Sequence, residues 1–113
     1  MRVEIKPLSV NKCWQGKRFK TPLYKAYETE LLWLLPKLDI PRKTELCLEI
    51  EVGFSNKSSD LSNILKPLED VLCKKYGIDD RFNYKIILTK KIVKKGKEYI
   101  DFAFTDFDNN KTT

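Results

Sequence analysis

The segment Ser58–Arg81, SSDLSNILKPLEDVLCKKYGIDDR, combines a clear helical pattern with acidic side chains at both of its ends. Its apolar residues recur at the spacing of one helical face; they are Leu61, Ile64, Leu65, Leu68, Val71 and Leu72. A short polar residue, Ser59 or Asp60, suits the N-cap, and Gly77 after two lysines suits the C-terminus. We therefore predict one helix, which Pro67 kinks or makes irregular in its first turn.

The elements around this helix predict a small α+β domain. Thr21 and Pro22 are typical of a helix start, and Pro36 ends that helix. Alternating apolar residues predict four strands, over residues 2–6, 45–54, 84–93 and 99–107. We interpret residues 94–97 as the turn of a hairpin that joins the last two strands. The order β-α-β-α-β-β then indicates one domain over residues 1–113, a four-stranded mixed sheet with two helices on one face.

The composition excludes several kinds of site. The chain has 113 residues, a formal net charge of +6 and no histidine, so a histidine base, a histidine zinc ligand and a serine–histidine pair are all excluded. Cys13, Cys47 and Cys73 show no C-x-x-C spacing, which favours reduced thiols over a zinc site or a disulfide framework. No apolar run reaches membrane-spanning length. We expect a soluble cytoplasmic protein without a membrane partner.

Two cationic segments indicate a nucleic-acid surface. The loop over residues 8–20 interleaves Trp14 and Phe19 with cations, and a second group of lysines lies between Lys85 and Lys97. Aromatic side chains stack on bases, and cations pair with phosphates. The DNA contacts that we predict are Lys12, Trp14, Lys17, Arg18, Lys20, Lys90, Lys91, Lys94 and Lys95. The alternative is a solvated loop, together with lysines that protect an edge strand from pairing.

The polar residues around the central helix are compatible with metal chemistry. Asp60, Asn63 and Lys66 lie within two turns, and Asp79–Asp80 follow the helix. Without histidine, phosphodiester cleavage would use Mg²⁺ or Mn²⁺ held by carboxylates, with a lysine that supplies positive charge to the phosphate. A helix of about 15 residues is roughly 22 Å long, so the acids meet only if the chain doubles back after it. The alternative is an N-cap and a solvated turn.

The sequence DLSNILK at 60–66, followed by YGIDD at 76–80, resembles the signature of the RusA family of Holliday junction resolvases, D-x-D-N-x-x-K and then a paired D-D. Upstream, SVNKCW, KRFKTP and YKAYE resemble the N-terminal half of that family, and the similarity extends from Ser9 to about Phe104. The resemblance implies a RusA-like fold. It also implies a Mg²⁺-dependent endonuclease that acts as a homodimer on four-way DNA junctions in recombination and repair.

The resemblance also assigns site residues. The catalytic residues that it implies are Asp60, Lys66 and Asp80. The metal ligands that it implies are Asp60 and Asp80, with the neighbouring Asp79 as a further candidate. We assign Asn63, and with it Ser62, a supporting role next to the ligands rather than among them.

Ser62 departs from the family pattern, which has a metal-binding aspartate at this position. A serine hydroxyl is a neutral and weak ligand. Three outcomes stay open: a weakened nuclease, a site that recruits Asp79 instead, or a non-catalytic module that binds branched or single-stranded DNA. A different class of function is a small protein-interaction domain, which would use Trp33 and the acidic face of strand 45–54. The two cationic segments argue against this last class.

Overall fold

The computed structural model describes residues 1–16, 18–40 and 44–107, which fold around one hydrophobic core. Lys17, one of the predicted DNA contacts, lies outside these ranges. The helices are α1 (Pro22–Leu34) and α2 (Leu65–Tyr76). The strands are β1 (Arg2–Val3), β2 (Trp14–Gln15), β3 (Phe19–Lys20), β4 (Leu46–Phe54), β5 (Asn83–Ile92) and β6 (Tyr99–Asp106). The two helices and the predicted long strands all form, with shifts of a few residues at their ends.

The main sheet is built around β4. Its strands lie in the order β1-β6-β4-β5, with β4 parallel to β5 and antiparallel to β6. Parallel neighbours need a long crossover connection, and α2 supplies it between β4 and β5. The predicted α+β domain with two helices and a four-stranded mixed sheet is therefore confirmed.

The predicted hairpin between the last two strands is wrong. β5 and β6 lie on opposite sides of β4, so the connection between them crosses the end of β4. The amide of Val93 donates to the carbonyl of Phe54 at 2.8 Å, which holds the connection at that end. A turn does form at Lys94–Lys97. A connection that crosses one strand covers only about 10 Å. A short connection that contains a turn is therefore compatible both with a hairpin and with the crossing that is observed.

The core lies between the helices and one face of the sheet. Every residue of β4 that was predicted to face inward is buried, namely Leu46, Leu48, Ile50, Val52 and Phe54. On the opposite face Glu49 of β4 is exposed, as are Lys85 and Thr89 of β5. One face of the sheet therefore packs against the helices and the other face meets solvent. No helix within the described ranges is both long enough and apolar enough to cross a membrane.

The apolar face that α1 buries is narrow. Tyr24, Tyr27 and Leu31 are buried. Leu23 and Leu34 are apolar as well but are substantially exposed, because they lie beside this stripe. The side chain of Trp33 is 87% exposed.

The segment before α1 contains structure that the sequence did not predict. β2 and β3 pair as an antiparallel ribbon, with Trp14 opposite Lys20, where a loop was expected. Gly16 has a φ of 67° at the tip, a left-handed conformation that glycine adopts without strain. Thr21 caps α1 by accepting a hydrogen bond from the amide of Tyr24 at 3.1 Å, and its hydroxyl donates to the carbonyl of Lys12 at 2.6 Å. This threonine therefore joins the ribbon to the helix.

The central helix begins irregularly, as Pro67 predicted. A 3-10 turn, Leu61–Ile64, precedes α2. Pro67 lies in the first turn of α2, where backbone N–H groups make no intrahelical hydrogen bond, so the N–H that proline lacks is not needed there. The helix ends at Gly77, whose φ of 65° and ψ of 36° are left-handed. This conformation reverses the chain direction and sends Asp79–Asp80 back along the helix toward β5.

Gly77 gives a test of this reversal. We expect Gly77→Ala to lower the free energy of unfolding by about 1 to 2 kcal/mol, because a Cβ disfavours the left-handed conformation. Gly77→Asn should cost clearly less, since asparagine tolerates that conformation. Urea denaturation of the three proteins measures both effects. Equal losses for alanine and asparagine would show that backbone conformation is not the cause.

Candidate functional site

Lys66 is at the centre of the candidate site. Its ammonium lies 2.9 Å from a carboxylate oxygen of Asp70, one turn further along α2, and 3.6 Å from one of Asp80. The pKa of Lys66 is raised, first by the hydrogen bond to Asp70, although partial burial opposes the shift. Lys66 therefore carries a positive charge at neutral pH and can act as a cation but not as a base.

The reversal at Gly77 is what brings Asp80 to Lys66. After Gly77 the amide of Ile78 donates to the carbonyl of Cys73 at 2.9 Å, and the Ile78 side chain is buried. The chain thus returns along α2 rather than leading away from its end. The condition that the sequence set for a site, a chain that doubles back after the helix, is met for Asp80 and Lys66.

Asp79 is held by interactions of its own. One carboxylate oxygen accepts a hydrogen bond from the backbone amide of Arg81 at 3.1 Å, and the other lies 3.3 Å from the Arg81 guanidinium. Asp79 thereby caps the 3-10 turn Asp80–Phe82. A metal ion would have to compete with Arg81 for this carboxylate, whereas Asp80 faces only Lys66 among the ion pairs of the described residues.

Asp60 occupies the N-cap position of the 3-10 turn Leu61–Ile64, but its side chain makes no capping hydrogen bond. Its carboxylate lies 3.5 Å from the side-chain amide of Asn63, at the long limit of a hydrogen bond. Ser62 is exposed on the same turn. The carboxylate of Asp60 is therefore available to a ligand, and Asn63 stands beside it as the sequence motif predicted.

Lys90 fixes the backbone next to Asp60. It was predicted to contact DNA, but its ammonium donates to the carbonyls of Lys57, at 2.8 Å, and of Ser59. These two carbonyls belong to the loop between β4 and the 3-10 turn. The lysine thus positions the loop that delivers Asp60.

Metal binding would rest on few ligands. Within residues 1–16, 18–40 and 44–107, no group of three or more acidic, cysteine or histidine side chains is arranged to hold an ion. Mg²⁺ is often held by one or two carboxylates together with substrate phosphates and water. Asp60 and Asp80 are the two carboxylates that the motif offers for such a set, but among the contacts of the described residues Asp80 meets Lys66 and Asp60 meets Asn63, and none joins the two acids. The Ser62 hydroxyl would add no charge.

Four residues of this region were missed by sequence reasoning. Asp70 pairs with Lys66 at the i, i+4 spacing that favours ion pairs on helices, so this one could have been found. Glu69 is 8% exposed and accepts a hydrogen bond from Asn83 at 2.8 Å. Burial, and next the charge of Glu69, raises the pKa of Cys73 to about 12, so this thiol stays protonated. Only the tertiary fold places Asn83 against α2, because it is distant in sequence.

The aromatic ribbon packs against α1. Trp14 meets the ring of Tyr24 edge to face, with 5.7 Å between ring centroids. The pKa of Tyr24 is raised to about 12, first by burial and then by the charge of Asp70. Lys20 lies 2.9 Å from Glu28 of α1, so this predicted DNA contact is already paired within the protein. The hydrogen bond with Lys20 is the main reason that the pKa of Glu28 is lowered.

The other predicted DNA contacts lie at two exposed places. Lys12 ends the short 3-10 turn before the ribbon, and Arg18 lies in the ribbon itself. Lys91, Lys94 and Lys95 are exposed at the end of β5 and in the connection that crosses β4. The structure therefore separates these outward cations from Lys20 and Lys90, whose ammonium groups contact the protein.

The different roles of neighbouring lysines can be tested by stability. We expect Lys90→Met to lower the free energy of unfolding by about 1 to 2 kcal/mol, because two hydrogen bonds from a charged donor are lost at a partly exposed position. Lys91→Met, on the opposite face of the same strand, should change it by less than about 0.5 kcal/mol. Thermal and urea denaturation would compare the two variants. Equal stability would mean that Lys90 does not hold the loop.

A scan against protein-family models found no match, and a search of curated proteins found none either. The resemblance to junction resolvases therefore rests on the residues quoted above.

Proposed function

We propose that this chain is a RusA-like, metal-dependent endodeoxyribonuclease that binds four-way DNA junctions and cuts them by paired nicks. The observation that carries the proposal is the meeting of Lys66 with Asp80. The motif contains both residues, but a helix and a turn separate them in the sequence. Their spacing alone did not imply that their side chains would be close together. Asn63 lies one turn and Asp60 about two turns before Lys66, at the irregular start of the same helix.

The residues of this site suit phosphodiester chemistry. A bound Mg²⁺ or Mn²⁺ would supply a Lewis acid and an activated water, with Asp60 and Asp80 as the side chains that would hold it. Lys66 stays protonated, so it can place a positive charge against the phosphate as negative charge develops there. Asp70 keeps the Lys66 ammonium directed along α2. Asn63 supports the position of the Asp60 carboxylate.

The exposed aromatic and cationic groups support DNA as the substrate. Trp14, at 44% exposure, and Phe19, at 71%, offer ring surface on the ribbon before α1. Arg18 and the lysines at the end of β5 offer charge for phosphates. The solvent face of the sheet is mixed in charge, since the carboxylates of Glu51 and Asp101 pair there with Arg2. Lys85 and Lys91 of β5 lie on the same face.

A non-catalytic module for branched or single-stranded DNA is the second candidate. It is favoured by Ser62 in place of an acid, and by the engagement of Asp79 with Arg81. Both features leave a site with two carboxylates, which binds a divalent ion more weakly than a site with three. The DNA-binding surfaces would be unchanged in this case.

We further propose that the active form is a homodimer and that the protein acts in the cytoplasm. Resolving a junction requires two nicks, and each chain contains one candidate site, so a two-fold pair is the simplest arrangement. Light scattering of the protein alone at micromolar concentration should give twice the mass of one chain, and with a four-way junction it should give that mass plus the mass of the DNA. A monomer that still binds and cuts junctions at both positions would contradict this.

Substitutions at the site test cleavage directly. Ser62→Asp should lower the Mg²⁺ concentration needed to cut a four-way junction, because it restores a negative ligand. Asp60→Asn should abolish cutting but leave junction binding close to that of the wild type. Lys66→Ala should slow cutting by about a hundredfold or more, through loss of charge stabilisation.

Lys74→Ala is the matched control, since Lys74 is equally exposed on α2 but pairs with Glu28. Rates against Mg²⁺ and Mn²⁺, with gel shifts on the same DNA, distinguish the two candidates. If wild type and Ser62→Asp bind junctions but neither cuts them, the non-catalytic module replaces the nuclease. If neither binds, both candidates are wrong.

A further inference from the structure

A cleft of about 630 Å³ opens beside Asp60. Its walls come from the segment after β1, from α1, from the end of β4 with the loop that follows, and from the 3-10 turn Leu61–Ile64. Its volume lies within the range of roughly 300 to 1,000 Å³ that small-molecule sites have. Asp60 and Asn63 both line it, so its occupant would lie against the candidate site.

The walls combine apolar surface with oriented amides. Leu8, Phe54 and Ile64 are apolar lining residues that are almost fully buried. Asn56 also lines the cleft, and its side-chain oxygen accepts hydrogen bonds from the amide and hydroxyl of Ser58 at 2.8 and 2.7 Å, which fixes the amide. A carboxamide both donates and accepts hydrogen bonds. A nucleobase has the matching form, with apolar faces and an edge of donors and acceptors.

Tyr27 adds a second observation that indicates a ligand. It lines the cleft and is 6% exposed, and its hydroxyl has no hydrogen-bond partner within the described part of the chain. Buried hydroxyl groups nearly always have a partner. Because burial also raises the pKa of Tyr27, the group stays a neutral hydroxyl that can donate and accept. The hydroxyl is covered, so a polar occupant of the cleft would supply the missing partner once it displaces the atoms that now cover it.

The charges of the cleft select a base over a chain of phosphates. Its acidic lining residues are Glu30, Asp60 and Glu98, against two lysines, Lys6 and Lys12. Among the residues that the structure describes, the lining contains no glycine and no arginine, which are typical of sites for nucleotide polyphosphates. An uncharged base can enter such a cleft while its flanking phosphates stay outside, near Lys12 and the lysines of the β5–β6 connection.

We propose that the cleft binds one unpaired deoxynucleotide of branched DNA, with the base inserted and its phosphate beside Asp60. The inference rests on the proposed DNA function, and it adds a way in which the protein would distinguish branched DNA from continuous duplex. Removing a base from a stack costs least where the strand is already unpaired. In a four-way junction the bases at the strand exchange point are paired, but they lie next to a break in the stacked duplex. Extruding one of them there costs less than within a continuous duplex, so the cleft would favour the branch point.

Filling the cleft tests this inference. Ala26 lines the cleft from α1, whereas Thr29, on the same helix, does not. Ala26→Trp should weaken binding of a four-way junction by about 5- to 100-fold, the range that corresponds to loss of one stacked base. Thr29→Trp should bind as the wild type does. On a junction with abasic sites at the crossover, Ala26→Trp and wild type should bind equally.

A crosslink locates the base independently of any variant. A junction with 5-iododeoxyuridine at the crossover should, on irradiation, crosslink to Phe54 or Tyr27, as mapped by mass spectrometry. If Ala26→Trp does not fold by circular dichroism, Tyr27→Phe takes its place, with a loss of about 2- to 10-fold in affinity for the intact junction.

The outcomes separate the two proposals. Equal binding by folded cleft variants and wild type, with crosslinks outside the cleft, would overturn the inference and leave the DNA function standing. Failure of the wild type to bind branched DNA at low salt would overturn the proposed function, and the inference with it.

Discussion

The parallel pairing of β4 with β5 determines where every candidate residue lies. It requires a crossover, so α2 begins after the carboxyl end of β4 and must return the chain to the start of β5. The start of the crossover carries Asp60, and its return carries Asp80. Because β5 takes one side of β4, β6 must take the other. The connection between them then crosses the end of β4 and brings exposed lysines to the side where Asp60 lies.

Charge pairing within the protein reduces the cationic surface that is available to a polyanion. Glu28 contacts both Lys20 and Lys74, which ties the ribbon and α2 to α1. Lys90 contacts two backbone carbonyls. These cations already pair with a carboxylate or with backbone carbonyls of the protein. A phosphate would have to displace one of those groups to reach them. The net charge of +6 therefore overstates the cationic surface, which consists of outward residues such as Arg18 and Lys91.

A metal ion at Asp80 would change the ion pairs of Lys66. Lys66 lies between two carboxylates, Asp70 and Asp80, so an ion that binds Asp80 would weaken one of its ion pairs and direct the ammonium toward a phosphate. With Ser62 in the motif, the ligand charge is low, and substrate phosphate becomes a larger share of what holds an ion. Metal binding and DNA binding would then depend on one another. A cleft that fixes one nucleotide beside Asp60 would place that phosphate.

The sequence by itself determined the local elements. Periodicity located α1, α2 and the inward face of β4, since it reflects which side of an element is buried. Thr21, Pro67 and Gly77 marked the ends and the irregular turn, because caps and breakers act through their own backbone. The motif residues Asp60, Asn63, Lys66 and Asp80 came from the resemblance, and the same local pattern placed them at the two ends of one helix.

Only the tertiary structure decided what those elements do together. Turn residues are equally compatible with a hairpin and with a crossing, so the placement of β6 beside β4 depended on which edge was still unpaired. The roles of Lys90 and Glu69 depended on groups distant in sequence, to which no spacing rule applies. The same holds for the cleft, because segments from five parts of the chain form it. The type of a residue indicates which interactions its side chain can make. Which of those interactions it makes depends on the groups that the packed fold places next to it.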